Sequence, residues 1–249
     1  MKRFVMVTGA SRGLGLALAK AALPYADTLL VVARHPSAEL QALATQSACE
    51  LRFEACDLSD CQQIDQLCQG LSAYLQTHAF DEYWQINNAG TLGPMKQFNG
   101  LARTSAQTIS QAFNLNVVQV MRLCSCFLEA TQDRLTKVVN ISSGAAHRAT
   151  EGWGVYCASK AALDMYTKVA QSEVQHAKLV AMAPGVVDTD MQANIRRQSE
   201  EDFPNIERFL RLHAEHELRS PQEVALAIIE YMTTPEFGDP IIDHINNII

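Results

Sequence analysis

Tyr156 and Lys160 stand four residues apart in Tyr156-Cys157-Ala158-Ser159-Lys160, so on a helix they share one face. The pair is suited to proton transfer. A tyrosine at its reference pKa of ~10 exchanges protons poorly near neutrality, and a neighbouring ammonium favours the phenolate and lowers that pKa. The expectation is a tyrosine that protonates a developing alkoxide, with Lys160 tuning it. A second constellation is the turn Thr8-Gly9-Ala10-Ser11-Arg12-Gly13-Leu14-Gly15, placed between an apolar β-branched run and a helical one. Glycines there let the backbone approach a dinucleotide pyrophosphate, and the helix start supplies unpaired N–H groups and the positive end of its dipole.

The phosphate ester that such a turn reads can be narrowed. A carboxylate at the end of the second strand would bind the ribose 2′-hydroxyl of NAD and repel a 2′-phosphate. This sequence has Ala33-Arg34-His35 at that place, and Arg12 lies inside the glycine turn. Two guanidinium groups form a fork suited to a phosphate dianion, so the expected cofactor is NADP(H).

The elements that must hold these groups alternate. Strands are expected at Phe4–Thr8, Thr28–Ala33, Leu51–Ala55, Glu82–Asn87, Lys137–Ile141, Lys178–Ala183 and near Pro240–Asp243. Helices are expected at Gly13–Leu23, Cys61–His78, Ser105–Ala130, Tyr156–Gln175 and Pro221–Tyr231, the last with Ser220 as its N-cap. The run Leu29-Leu30-Val31-Val32-Ala33 is continuously apolar, as a strand buried on both faces requires. This pattern predicts an α/β fold, a doubly wound parallel sheet of the Rossmann type, in a single domain over 1–249. The polar stretch around 190–219 is expected to be a helical lid over the site.

Bulk properties narrow the function class. The chain has 249 residues, 48% of them hydrophobic, and a formal net charge of -7. That balance argues against a nucleic-acid partner. No apolar run reaches the ~20 residues of a membrane span. The run after Lys2-Arg3 stops at Thr8-Gly9, shorter than a signal core of ~7–15 residues, so a cytoplasmic protein is expected. Seven cysteines, an odd number at irregular spacing, are read as reduced apolar side chains, and no metal site is expected.

Taken in order, these motifs resemble the short-chain dehydrogenase/reductase family. The glycine turn has that family's TGxxxGxG spacing. Asp57-Leu58 follows the third strand, Asn88-Ala89-Gly90 the fourth, Ser142-Ser143 the fifth and Pro184-Gly185 the sixth, and Tyr156 with Lys160 makes the YxxxK pair. The resemblance implies that Ser143 polarises the substrate carbonyl while Ser142 serves the backbone. It also implies that Asn116, with Asn114 as the competing position, holds a water in a proton relay behind Lys160. Cofactor contacts are implied for Gly9, Ser11, Arg12, Gly13, Leu14, Gly15, Arg34, Asp57, Leu58, Asn88, Ala89, Gly90, Tyr156, Lys160, Pro184, Gly185, Val187 and Thr189. A homodimer or homotetramer built from the helices around Ser105–Ala130 and Tyr156–Gln175 is implied as well.

Three stretches resemble the sepiapterin reductase branch, to which bacterial benzil reductases are related: Gly152-Trp153-Gly154-Val155-Tyr156-Cys157, Ala183 through Gln192, and Glu236-Phe237-Gly238 through Ile242-Asp243. On that resemblance the substrate is a pterin side-chain ketone or an aromatic 1,2-diketone. It meets Ser143, Trp153, Tyr156 and Met191, with Asp243 anchoring a pterin ring. Trp153 fits either the pocket or the core. Phe203 and Phe209 on the lid would close over an apolar substrate or simply mark a helix face. Two alternatives stand beside this reading: reduction of 3-oxoacyl chains on acyl carrier protein, and a non-catalytic NADP(H)-sensing protein.

Overall fold

A computed structural model describes all residues, 1–249. Seven strands form one parallel sheet in the order β3-β2-β1-β4-β5-β6-β7. They are β1 Arg3–Thr8, β2 Thr28–Ala33, β3 Glu50–Ala55, β4 Glu82–Asn87, β5 Leu135–Ile141, β6 Ala177–Ala183 and β7 Ile242–His244. Strands β2 and β4 are buried throughout; β2 accordingly reads as a continuous apolar run, whereas β4 also buries the polar Glu82, Gln85 and Asn87. The expected Rossmann architecture is therefore present as a single domain.

Helices cover both faces. On one face α1 (Gly13–Ala22) and α10 (Pro221–Thr233) pack together over a core that includes Leu18, Ile86, Met182 and Ile228. On the other, α3 (Cys61–Thr77) and α6 (Gln119–Ala130) bury Leu67, Leu71, Leu123 and Phe127 against Phe4 and Met6. Beside α6 on that face, α7 (Gly154–Glu173) lies over β5 and β6, sharing with α6 a cluster that includes Val138, Ala170 and Leu179. Ser220 caps α10 as expected, its Oγ accepting from Glu223 N at 3.1 Å. A short helix α2 (Ala38–Ala44), capped by Ser37, joins β2 to β3 and was not among the expected elements.

The helix expected over Ser105–Ala130 is not continuous. Short helix α4 (Phe98–Leu101) precedes α5 (Ala106–Phe113), and a π-turn at Asn114–Val118 separates α5 from α6. One wider turn rotates the residues that follow it, and such bulges commonly mark functional positions. Here it directs Asn116 into the interior while Asn114 stays half-buried.

The stretch around 190–219 holds two helices, α8 (Asp190–Ile195) and α9 (Ile206–Ala214). It is fastened at several points. Lys96 Nζ lies 2.5 Å from Asp202 Oδ2, and Gln97 Nε2 donates to the Glu201 carbonyl. Gly152 is at φ +80°, and a Cβ there would lie 2.4 Å from Asp202 O, so only glycine lets the Asp202 backbone approach this closely.

Candidate active site

The glycine turn is built for an anion. Gly9 and Gly13 have φ of +70° and +55°, and a Cβ on Gly15 would lie 2.2 Å from Gly9 O. Arg12, the residue before α1, places no side-chain cap on the helix, so the first-turn N–H groups have no intrahelical acceptor. Thr8 Oγ1 accepts from Asn88 N at 3.0 Å and Ala89 N at 3.1 Å, and Asn88 Nδ2 returns a bond to Thr8 O at 3.1 Å. Asn88 thus bolts the glycine turn to the end of β4, and its amide does not reach into the cleft. An uncapped helix start beneath three glycines fits a dinucleotide pyrophosphate.

The remaining predicted cofactor residues line the same strand ends in different ways. Arg34 is exposed just past β2, and its charge helps hold the Asp57 carboxyl below the ordinary range, after the larger effect of hydrogen bonds from Ser59. Leu58 is buried with Ile64 and Leu67, so only its backbone is available to a ligand. Arg12 sits 3.3 Å from Asp190 at the start of α8, with both side chains largely exposed. Thr189 lies over the glycine turn, since a Cβ on Gly13 would meet its Cγ2 at 3.4 Å. Val187 turns its side chain into the α1–α10 core, and its main chain bridges to Arg219. Gly185, after Pro184, takes φ +76°.

Asn116, Ser143, Tyr156 and Lys160 converge beside this cleft. Asn116 Oδ1 accepts from Thr91 N at 2.8 Å, and its Nδ2 donates to Thr91 O at 2.8 Å and Ser159 Oγ at 2.9 Å. A Cβ on Gly90 would stand 3.3 Å from Asn116 Oδ1 and 3.7 Å from Lys160 Nζ, so Gly90 is the opening through which the two groups neighbour each other. Lys160 Nζ donates to the Ile141 carbonyl at 2.7 Å. Ser143 Oγ accepts from Ala145 N at 3.1 Å.

The electrostatics differ from the sequence expectation in one respect. Lys160 was expected to draw the Tyr156 pKa down. Its ammonium instead faces Ile141 O, 5.9 Å from the Tyr156 ring centroid. Burial dominates and pushes the phenol up, with the Ser143 hydroxyl pulling it partly back. Burial also brings Lys160 down from 10.5 to about 8, against the attraction of Asp164. Tyr156 therefore keeps its proton, the state that a proton donor needs.

Beyond Tyr156 the wall is apolar and aromatic. Trp153 packs edge-on to Tyr156 with centroids 5.5 Å apart and stacks on Phe203 at 5.0 Å, with Phe209 at 5.4 Å. Leu92, Met95 and Ile195 complete the cluster, with Met191 against it. Trp153 is thus a buried member of the cluster that packs beside Tyr156. Two expectations are corrected here. Asp243 pairs in register with Met182, and alternation along a strand puts its side chain on Met182's face, towards α10 and away from Tyr156. There it accepts from Asn247 Nδ2 at 2.7 Å and His244 N at 2.8 Å. Ser142 does not serve the backbone with its side chain; its hydroxyl donates to Asp164.

Residues 3–200 match the family model described as short chain dehydrogenase. The chain belongs to that family. A benzil reductase ((S)-benzoin forming) of Bacillus cereus is 37% identical over 241 residues, covering 94% of this chain and 96% of the relative. A sepiapterin reductase of Meriones unguiculatus is 34% identical over 223 residues, covering 86% and 84%. Among solved structures, the KRED1-Pglu enzyme superposes with a TM-score of 0.79 at 29% identity, over 92% of this chain and 94% of that one. This short-chain dehydrogenase is accordingly an oxidoreductase of carbonyl and alcohol groups that uses a nicotinamide cofactor. None of its helices is long and apolar enough to cross a membrane, and its seven cysteines are free thiols.

Proposed function

We propose that this protein is an NADPH-dependent reductase of a ketone beside a flat aromatic ring, with an aromatic 1,2-diketone of the benzil type favoured over a pterin. The observation that carries this reading is Trp153 packed edge-on against Tyr156 and backed by Phe203 and Phe209. Flat rings gain from offset or edge-on contact with such a wall. The preference for a diketone follows from Asp243, whose carboxylate lies on the α10 face, where its Oδ1 accepts from Asn247. On that face the side chain is turned away from a pterin edge held beside Tyr156. The likeness to the Bacillus cereus benzil reductase supports the same substrate class.

In this reading Gly9, Ser11, Gly13, Leu14 and Gly15 hold the pyrophosphate, and Arg12 and Arg34 hold a 2′-phosphate. Asp57, the Leu58 backbone, Ala89 and Gly90 border the adenosine. Pro184, Gly185, Val187 and Thr189 border the nicotinamide with main-chain groups and the Thr189 hydroxyl. The cofactor, when bound, supplies the hydride. Ser143 and Tyr156 hydrogen-bond the carbonyl oxygen, and Tyr156 gives its proton as the oxygen becomes an alkoxide. Lys160, kept near Asn116 by the opening at Gly90, replaces the proton. Most of the rate gain is positioning and stabilisation of the growing oxyanion.

Exposed Val118, Met121, Met165 and Val169 on the faces of the π-turn, α6 and α7 support assembly as a homodimer or homotetramer through those helices. The test of substrate class is NADPH oxidation against benzil, sepiapterin and an acetoacetyl thioester in parallel. The reading expects the highest kcat/KM for benzil. A preference for the thioester would assign the protein to 3-oxoacyl reduction, and NADPH binding without turnover of any of them would make it a sensor.

A further inference from the structure

The catalytic helix carries one more buried ionisable group on the same face. Tyr156, Lys160 and Asp164 follow at intervals of four along α7, and Asp164 is buried. Its carboxylate is held from two other elements. Ser142 at the end of β5 donates its hydroxyl to Oδ1, and His147 Nε2 lies 2.8 Å from Oδ2. His147 reaches in from the surface, its side chain 58% exposed against 5% for Asp164. It approaches off the line of a hydrogen bond, and Oδ2 has no aligned donor. A carboxylate placed in this way, one turn from an ammonium whose only hydrogen-bond acceptor is the Ile141 carbonyl, is poised to act on that ammonium through space.

We propose that Asp164 is a positioning residue for the reduction: its carboxylate is the buried counter-ion that keeps Lys160 charged, fixed by Ser142 and faced from solvent by His147. This rests on the assignment of Tyr156 and Lys160 made above and deepens it. The groups that act on Lys160 are Asp164 and Tyr156 on its own helix, the Ile141 carbonyl of β5, and Asn116 of the π-turn across Gly90. Those that act on Asp164 are Lys160, Ser142 and His147, and from β6 the helix meets apolar residues such as Leu179. Burial pushes the Asp164 carboxyl up, and these three neighbours each pull it back towards the ionised form. The attraction of Asp164 is in turn the one effect that opposes the fall of the Lys160 pKa. Side chains four residues apart on a helix are neighbours, and an opposite charge so placed favours the charged form. Without Asp164, Lys160 would lose its proton at a lower pH, and the supply of protons to Tyr156 would fail there.

The test is the pH profile of kcat for NADPH-dependent benzil reduction by wild type, Asp164→Asn and Asp164→Glu. Asp164→Asn is expected to move the alkaline limb down by about one pH unit, a loss that grows with pH along the limb and levels off at about tenfold. Asp164→Glu, which keeps the charge, should restore most of it. A loss in Asp164→Asn that is uniform across pH, or an unmoved limb, would overturn the proposal and mark Asp164 as structural. Tyr156→Phe run alongside separates the two levels. If it loses turnover while the Asp164→Asn limb stays put, only the counter-ion fails, and if it keeps turnover, both assignments fail. Should Asp164→Asn not fold, carboxyl 13C NMR of the wild type decides. An ionised Asp164 at about pH 7 supports the proposal, and a neutral one overturns it.

Discussion

Replacing Thr8 by valine removes one hydroxyl from the joint between the glycine turn and β4 while keeping the shape of the side chain. Thr8 is fully buried, and its Oγ1 accepts from both Asn88 N (3.0 Å) and Ala89 N (3.1 Å). Valine leaves two amides without an acceptor, each at a cost of about 1–3 kcal/mol, or about 2–6 kcal/mol together. In a chain of this length each kcal/mol moves Tm by about 2–4 °C, so even the low end predicts a fall of about 4 °C or more. Asn88 also holds the carbonyl of Thr8. A loosened joint should therefore raise the KM for NADPH as well. Thr8→Ser, which keeps the acceptor, is the control. The assays are thermal unfolding and initial-rate kinetics on the three proteins. A Thr8→Val variant that melts with Thr8→Ser and binds NADPH as well would refute the reasoning, because the turn would then stand without that hydroxyl.

Three further outcomes follow from the site. Arg34→Ala should raise the KM for NADPH far more than that for NADH, and an equal effect on both would remove Arg34 from the 2′-phosphate. Asp243→Asn should leave kcat/KM for benzil near the wild-type value, since the carboxylate faces α10, and a large loss would return Asp243 to the substrate pocket. The kcat for reduction should hold up to about pH 8 and fall above it, because Lys160, brought down to about 8, must be charged to resupply Tyr156. A profile flat to about pH 10 would contradict that dependence.

Much of this architecture was legible because it is written in local chemistry. The apolar run of β2 and the glycines before α1 state their places directly, and the strand limits fall within one or two residues of the expected ones. The π-turn at Asn114–Val118 was not legible, because hydrophobic periodicity is read on a regular helix and a widened turn leaves no compositional mark. Choosing Asn116 over Asn114 nevertheless picked the buried residue that joins Thr91 to Ser159. Helix α2 did carry a signal, Ser37 as an N-cap before Glu39 and Leu40. Asp243 went astray because the motif gives a position along the chain, whereas the face it presents depends on register with β6. Asp164 and His147 were invisible for a related reason: they stand seventeen positions apart, and only the packing of α7 against the end of β5 brings them together.

The most direct test of the account is Tyr156→Phe, measured for NADPH binding by fluorescence and for benzil reduction by NADPH oxidation. The account predicts binding close to wild type and a loss of about 10²–10⁴ in kcat, the range that a positioned general acid contributes. Near-normal turnover by Tyr156→Phe would contradict it, since the proton would then come from another group.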